Sequence, residues 1–227
     1  MESRVCIRFK QVVYHHFIGK GWIELRVFLV HLDGFLLDAE KTTLASLQRV
    51  MARYKANYMD RADLKQLLVE PEKAILRKQV GVLSAKRAYE MYFSYLKEGL
   101  QKVFPHPGAM AFLNSLIASG DSLYLFSLRN RHVVGHMVLR YGWSDLFDGF
   151  FTGEDVELPQ HSGIELTRVY ERLAAETKVY FLTAQADFSV PHSFEKIVIQ
   201  PDLLQTLSFG LYPILEGDQS VGSFEMG

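Results

Sequence analysis

The chain has 227 residues, 48 % of them apolar, enough for one domain with a buried core or one domain carrying an insertion. Its 25 Lys and Arg against 26 Asp and Glu leave a formal charge of −1, so no global field favours nucleic acid or an acidic membrane surface. The single cysteine, Cys6, excludes an intrachain disulfide and a thiolate metal cluster.

Met1–Lys20 mixes Arg4, Arg8 and Lys10 with His15 and His16, and has no apolar h-region or small-residue cleavage site. No apolar run approaches the roughly 20 residues that span a bilayer. These features predict a soluble, cytoplasmic protein with residues 1–25 as an N-terminal extension. Within it, Val5–Phe17 and Trp22–Leu25 flank Gly19-Lys20-Gly21, the pattern of a hairpin or of an extension with β propensity.

Segment 26–31 is a short, nearly all-apolar run that stops at Asp33-Gly34, as expected of a buried strand in a parallel sheet. From Thr42 to about Phe104 the pattern turns helical, with Leu44, Leu47, Val50, Met51 and Tyr54 at three- and four-residue spacing. Further helices are predicted at 61–70, 72–80 and 84–103, with Asp60 as an N-cap and Pro71 in the following first turn. No strand-like run interrupts this stretch, so residues 41–104 are expected to form an all-helical insert.

After Pro105-His106-Pro107-Gly108 the period alternates. Ala109–Ala118 is predicted helical with Gly120 closing it, Ser122–Ser127 a strand, His132–Tyr141 a helix and Gly149–Thr152 a short strand. Ile164–Glu176 follows as a helix, then two short apolar runs at Val179–Leu182 and Lys196–Ile199. Such alternation predicts an α/β fold, a Rossmann-like doubly wound parallel sheet built from 26–40 and 105–215, whose ligand site lies at the carboxyl ends of the strands. Glu216–Gly227 is polar and Gly-rich, as expected of a loose tail.

A strand, an Asp-Gly turn, a helical insert, Pro-x-Pro-Gly, a helix and a strand ending in Ser127 follow one another in an order that resembles the haloacid-dehalogenase superfamily. The likeness is to its phosphoglycolate-phosphatase-like members, which carry a helical cap after the first strand. It covers roughly 26–215 and is densest over Phe104–Ser127 and Leu139–Val156. The resemblance implies four stations at the strand ends. An aspartate on the first strand attacks phosphorus and a second, two residues on, handles the leaving-group proton. A Ser or Thr after the second strand and a later Lys hold the phosphoryl group, and acids after the fourth strand hold Mg²⁺. A carboxylate can attack a phosphate dianion only where cations neutralise their repulsion.

This sequence departs from that pattern at three stations. His31 stands where the nucleophile would be, with Asp33 kept and Phe35 in place of the usual Thr. Ser127 is kept, followed by Leu128-Arg129-Asn130. The third station offers Leu158-Pro159, with no lysine between Gly153 and Lys178. The fourth reads Thr183-Ala184-Gln185-Ala186-Asp187, with Ala184 in a metal-ligand slot and Asp187 the one acid nearby. Each change removes charge that Mg²⁺ or a phosphoryl group needs.

The resemblance then implies a phosphatase-like protein without an intact catalytic set, its vestigial pocket made of His31, Asp33, Ser127 and Asp187, with no resident metal or cofactor. Asp33, Gly34, Ser127 and Arg129 are the candidates for holding an anion, such as a small phosphorylated ligand. Each has a plainer reading: His31 as a hydrogen-bonded core histidine, Asp33 as a turn residue before glycine, Ser127 as a helix cap. The alternatives left open are a working phosphohydrolase or phosphotransferase that uses His31 or Asp33 with Mg²⁺, and a structural subunit of a larger assembly.

Three further features bear on ligands or partners. His132 and His136 have the i, i+4 spacing of zinc ligands, yet no third ligand accompanies them. The run Tyr89–Tyr95 is either cap core or an apolar face for a protein partner or self-association. Arg49, Arg53, Lys55, Arg61, Lys65, Arg77 and Lys78 make the cap surface partly cationic, diluted by Glu70, Glu72 and Glu90. Neither nucleic acid nor membrane is expected as a partner.

Overall fold

Strand β1, Val27–His31, is five buried residues in a row, because it is the central strand of a sheet covered on both faces. The computed structural model describes residues 26–56, 59–68, 70–155, 173, 178–185, 190 and 194–209. Four helices follow β1 directly: α1 (Glu40–Arg53), α2 (Arg61–Leu67), α3 (Glu72–Val80) and α4 (Val82–Leu100). Then come α5 (Ala109–Ala118), β2 (Ser122–Phe126), α6 (Arg131–Tyr141), β3 (Gly149–Phe151), β4 (Val179–Thr183) and β5 (Phe194–Val198). A 3-10 segment, Pro201–Phe209, packs on α5.

The sheet order is β3-β2-β1-β4-β5, and every pairing is parallel. The doubly wound α/β expectation is therefore met, with β5 running Phe194–Val198 where the apolar run alone suggested Lys196–Ile199. Register sets His31 beside Phe126 of β2, while Val30 pairs with Leu182, one residue before Thr183 on β4. The carboxyl ends of β1, β2 and β4 thus converge, the place where such sheets hold ligands.

One side of the sheet packs Phe28, Val30, Leu123, Leu125, Tyr180 and Leu182 against α5, α6 and the insert. The other side packs Leu29, Phe126, Phe151, Phe181 and Phe194. Phe35 belongs to the first of these cores, edge-on to Phe112 of α5, so the residue at the usual Thr position is a packing residue. Among the expected local signals, Asp60 Oδ1 accepts the Asp63 amide at 2.8 Å and Gly120 closes α5 with φ +81°. Pro71 sits one residue ahead of α3. The hairpin expected within 1–25, the helix expected over 164–176 and the tail from 216 lie outside the described residues.

α1 and α4 pack along each other in opposite directions. Thr42, at the start of α1, meets Gly99, at the end of α4, so closely that a Cβ on Gly99 would come within 2.4 Å of the threonine methyl. The other ends of the pair, near Arg53 and Leu83, are therefore remote from the sheet. Among the described residues, no helix is long and apolar enough to cross a membrane.

Candidate functional site

Four backbone hydrogen bonds bring the site together. The Leu32 amide donates to the Phe126 carbonyl at 2.8 Å, which carries β1 alongside β2 into the turn. Gly34 takes φ +76°, a conformation glycine adopts without steric cost, and its amide donates to the Leu37 carbonyl at 2.9 Å. That turn aims the Asp33 side chain at the end of β2. Across from it, the Ser127 amide donates to the Phe151 carbonyl at 3.0 Å and the Gly153 amide to the Arg129 carbonyl at 2.9 Å. A Cβ on Gly153 would lie 2.2 Å from the Leu128 carbonyl oxygen, so glycine is required for that loop to come this close.

Asp33 has both carboxylate oxygens engaged. Ser127 Oγ donates to Oδ2 at 2.6 Å, and Arg129 Nε donates to Oδ1 at 2.5 Å. Ser127 Oγ also accepts the Arg129 amide at 3.1 Å. The plainer expectation that Ser127 caps α6 is replaced: the cap is Asn130, whose side chain accepts the His132 amide at 3.1 Å.

The Arg129 guanidinium turns inward from this loop, its side chain 8 % exposed. Its Nη1 donates to Glu72 Oε1 at 2.9 Å and to Thr43 Oγ1 at 2.7 Å. Glu72 in turn accepts Tyr92 Oη at 3.0 Å. One cation thereby joins the turn after β1, helix α1 and the first turn of α3, with α4 bound at second hand. Burial opposes the charge on Arg129, but the Asp33 and Glu72 carboxylates outweigh it and raise its pKa beyond the usual arginine value. For Asp33, burial pushes the pKa up, and Arg129, His31 and the Ser127 hydroxyl overcome that and hold it below the usual carboxylate range.

His31 stands behind this network. It is 2 % exposed, between the rings of Phe126 and Phe181, with Nδ1 3.0 Å from Thr183 Oγ1. Burial lowers its pKa to about 4; nearby Asp33 partly opposes the shift, and Arg129 adds to it. At neutral pH the ring is uncharged. Thr183 Oγ1 also accepts the Gln185 amide at 3.1 Å, closing the turn after β4.

A Mg²⁺ ion does not fit these residues. Among the described residues no three His, Cys, Asp or Glu side chains converge as a metal set, and the Asp33 oxygens already accept protein donors. Hard cations need several free oxygen ligands.

A model of the haloacid dehalogenase-like hydrolase family matches residues 29–182. The chain belongs to that family. No curated protein sequence matches it. Among solved structures, a haloacid dehalogenase-like hydrolase from Streptococcus pneumoniae is similar at 14 % identity and TM-score 0.54, over 86 % of this chain and 99 % of that one. CbbY from Rhodobacter sphaeroides, in complex with phosphate, is similar at 16 % identity and TM-score 0.57, over 71 % of this chain and 78 % of that one. A candidate β-phosphoglucomutase from Thermotoga maritima is similar at 16 % identity and TM-score 0.52, over 81 % and 98 %. At such identities the shared property is the fold.

In this haloacid dehalogenase-like chain the strand ends bring His31, Asp33, Gly34, Ser127 and Arg129 together. Leu158, Pro159 and Asp187 lie outside the described residues. Three members of the network are not apparent from the sequence pattern: Glu72, Thr43 and Tyr92. Glu72, counted among surface acids by its charged neighbourhood, is 3 % exposed and faces inward. The one sequence signal for it is its place at the first helical position after Pro71, where a carboxylate suits the helix dipole. His132 and His136 pack on Phe93, with ring centroids 4.2 and 5.8 Å away, and form no metal set among the described residues. In the run Tyr89–Tyr95, Tyr92 is wholly buried and Tyr89, Met91, Phe93 and Tyr95 pack partly buried on the same core.

Proposed function

We propose that this haloacid dehalogenase-like chain is a pseudophosphatase, catalytically inactive, with helices α1–α4 as a cap held on the core, and that it acts by binding a protein partner. The observation that carries this reading is Arg129, held between Asp33 and Glu72. A working site needs a carboxylate free to exchange protons and cations free to meet a phosphoryl group. Here Arg129 has its charge matched by two carboxylates. An anion entering at Gly34 and Ser127 would have to displace Asp33 or Glu72 from it. This favours a protein partner over a small phosphorylated ligand.

His31 supports the same reading. Its neutral ring is enclosed by Phe126, Phe181 and Thr183, which suits a core residue better than a nucleophile that must reach phosphorus. The purified chain is expected to hydrolyse p-nitrophenyl phosphate in Mg²⁺ buffer no faster than its Asp33→Asn variant does. Rapid Mg²⁺-dependent turnover lost in Asp33→Asn overturns the proposal, and so does acid-labile phosphate on His31 after exposure to a phosphodonor.

A further inference from the structure

A chain that acts by binding needs a surface to bind with, and the far end of the α1/α4 pair has the features of one. An open hollow of about 420 Å³ lies there, lined by Arg53, Tyr54, Leu83, Ser84, Arg87 and Met91. By helix rise, Arg53 is about 15 Å along α1 from Thr43, the α1 residue that touches Arg129. A ligand here and one at the strand ends would not meet.

Three features of the hollow point to its occupant. The first is unmatched charge. Arg26, Arg49, Arg129 and Arg131 pair with carboxylates, and Arg140 donates to the Gln101 carbonyl. Arg53 and Arg87 have no such partner among the described residues, and no Asp or Glu lines the hollow. Exposed Lys55 and Lys86 stand close to Arg53 and Arg87 in the chain, and exposed Glu90 close to Arg87. The second is exposed apolar surface: Leu83 is 102 % exposed and the adjacent Val82 65 %. The third is the make-up of the lining, in which Tyr54 and Met91 accompany the two arginines. Arginine, methionine and tyrosine are the residue types enriched where proteins meet.

We infer that this hollow is the docking site for an acidic segment of a partner protein, one bulky apolar side chain resting on Leu83 and Met91 while flanking carboxylates meet Arg53 and Arg87. The inference rests on the binding role proposed above, and the phosphatase assay on the same preparation separates the two: an active enzyme could still bind here, and an inactive one could fail to.

The test uses the full chain and a fluorescein-labelled peptide of glutamates around a Leu-Phe pair, followed by anisotropy. Control probes are the same peptide with lysines for glutamates, inorganic phosphate, and vesicles of anionic phospholipid. Saturable binding of the acidic peptide is expected, weakening as salt rises. Arg53→Glu with Arg87→Glu should raise Kd at least about tenfold, and Leu83→Asn several-fold. These side chains are solvent-facing, and an unchanged thermal melt shows that the variants fold. Failure to bind, binding indifferent to these variants, or binding of phosphate or vesicles in place of the peptide overturns the inference.

Discussion

His31, at the position where the family pattern has its nucleophile, is packed between the rings of Phe126 and Phe181. Its ring is buried and neutral, with a folded pKa near 4 against 6.5 for a free histidine. Between those values the unfolded chain binds a proton that the folded chain does not, so stability rises with pH across the window. It is lost as pH falls from 6.5 towards 4, by about 3 kcal/mol for a shift of this size. Asp33, whose pKa is depressed, adds stability above the usual carboxylate pKa that is lost at still lower pH. Urea unfolding above pH 6.5 and near pH 4 should show a smaller loss for His31→Leu than for the native chain. An equal loss in both would mean that the histidine is not the titrating group.

At the scale of elements, the Arg129 network joins the strand ends to the helices between β1 and α5. Leaving a buried charge unpaired costs about 3–5 kcal/mol, far more than losing a surface pair such as Arg49–Glu98, which is worth about 0–1 kcal/mol. Arg129→Met, which leaves Asp33 and Glu72 without their cation, should therefore lower stability by that larger amount in urea unfolding, and Glu72→Gln, after which Arg129 keeps Asp33, should cost less. The double variant should fall short of the sum by about 0.5–3 kcal/mol, since Arg129→Met orphans the Glu72 charge and Glu72→Gln then removes it. Strict additivity would show that the two side chains do not act on each other. The same scale explains what was legible in advance. α5, β2 and α6 follow from Pro-x-Pro-Gly, Gly120 and short apolar runs, all local signals. The Glu72 contact was not legible, because it joins residues 57 positions apart and an acid after proline looks the same whether it faces water or an arginine.

For the whole molecule, the question is whether the family's usual ligands still find a site. Any ligand that binds the folded chain raises its stability by mass action, about 2.7 kcal/mol at 100 times Kd. For a protein of this size each kcal/mol moves Tm by about 2–4 °C. Millimolar-scale Mg²⁺ and inorganic phosphate, together or alone, should leave the melting temperature of this chain unchanged. A rise of several degrees would show a ligand displacing Arg129 from its carboxylates, and the proposed loss of chemistry would have to be withdrawn.

Sequence alone determined the sheet and its family, because buried strands, glycine turns and helix periods are properties of neighbouring residues, and their order along the chain specifies a parallel α/β fold. It also showed His31 in place of a carboxylate and no lysine between Gly153 and Lys178. Tertiary structure decided where the remaining charges go. That Ser127 binds Asp33 instead of capping a helix, and that Arg129 spans Asp33 and Glu72, depends on distances between residues far apart in the chain. Electrostatic partners are set by proximity and burial in space, and neither is a property of position along the sequence.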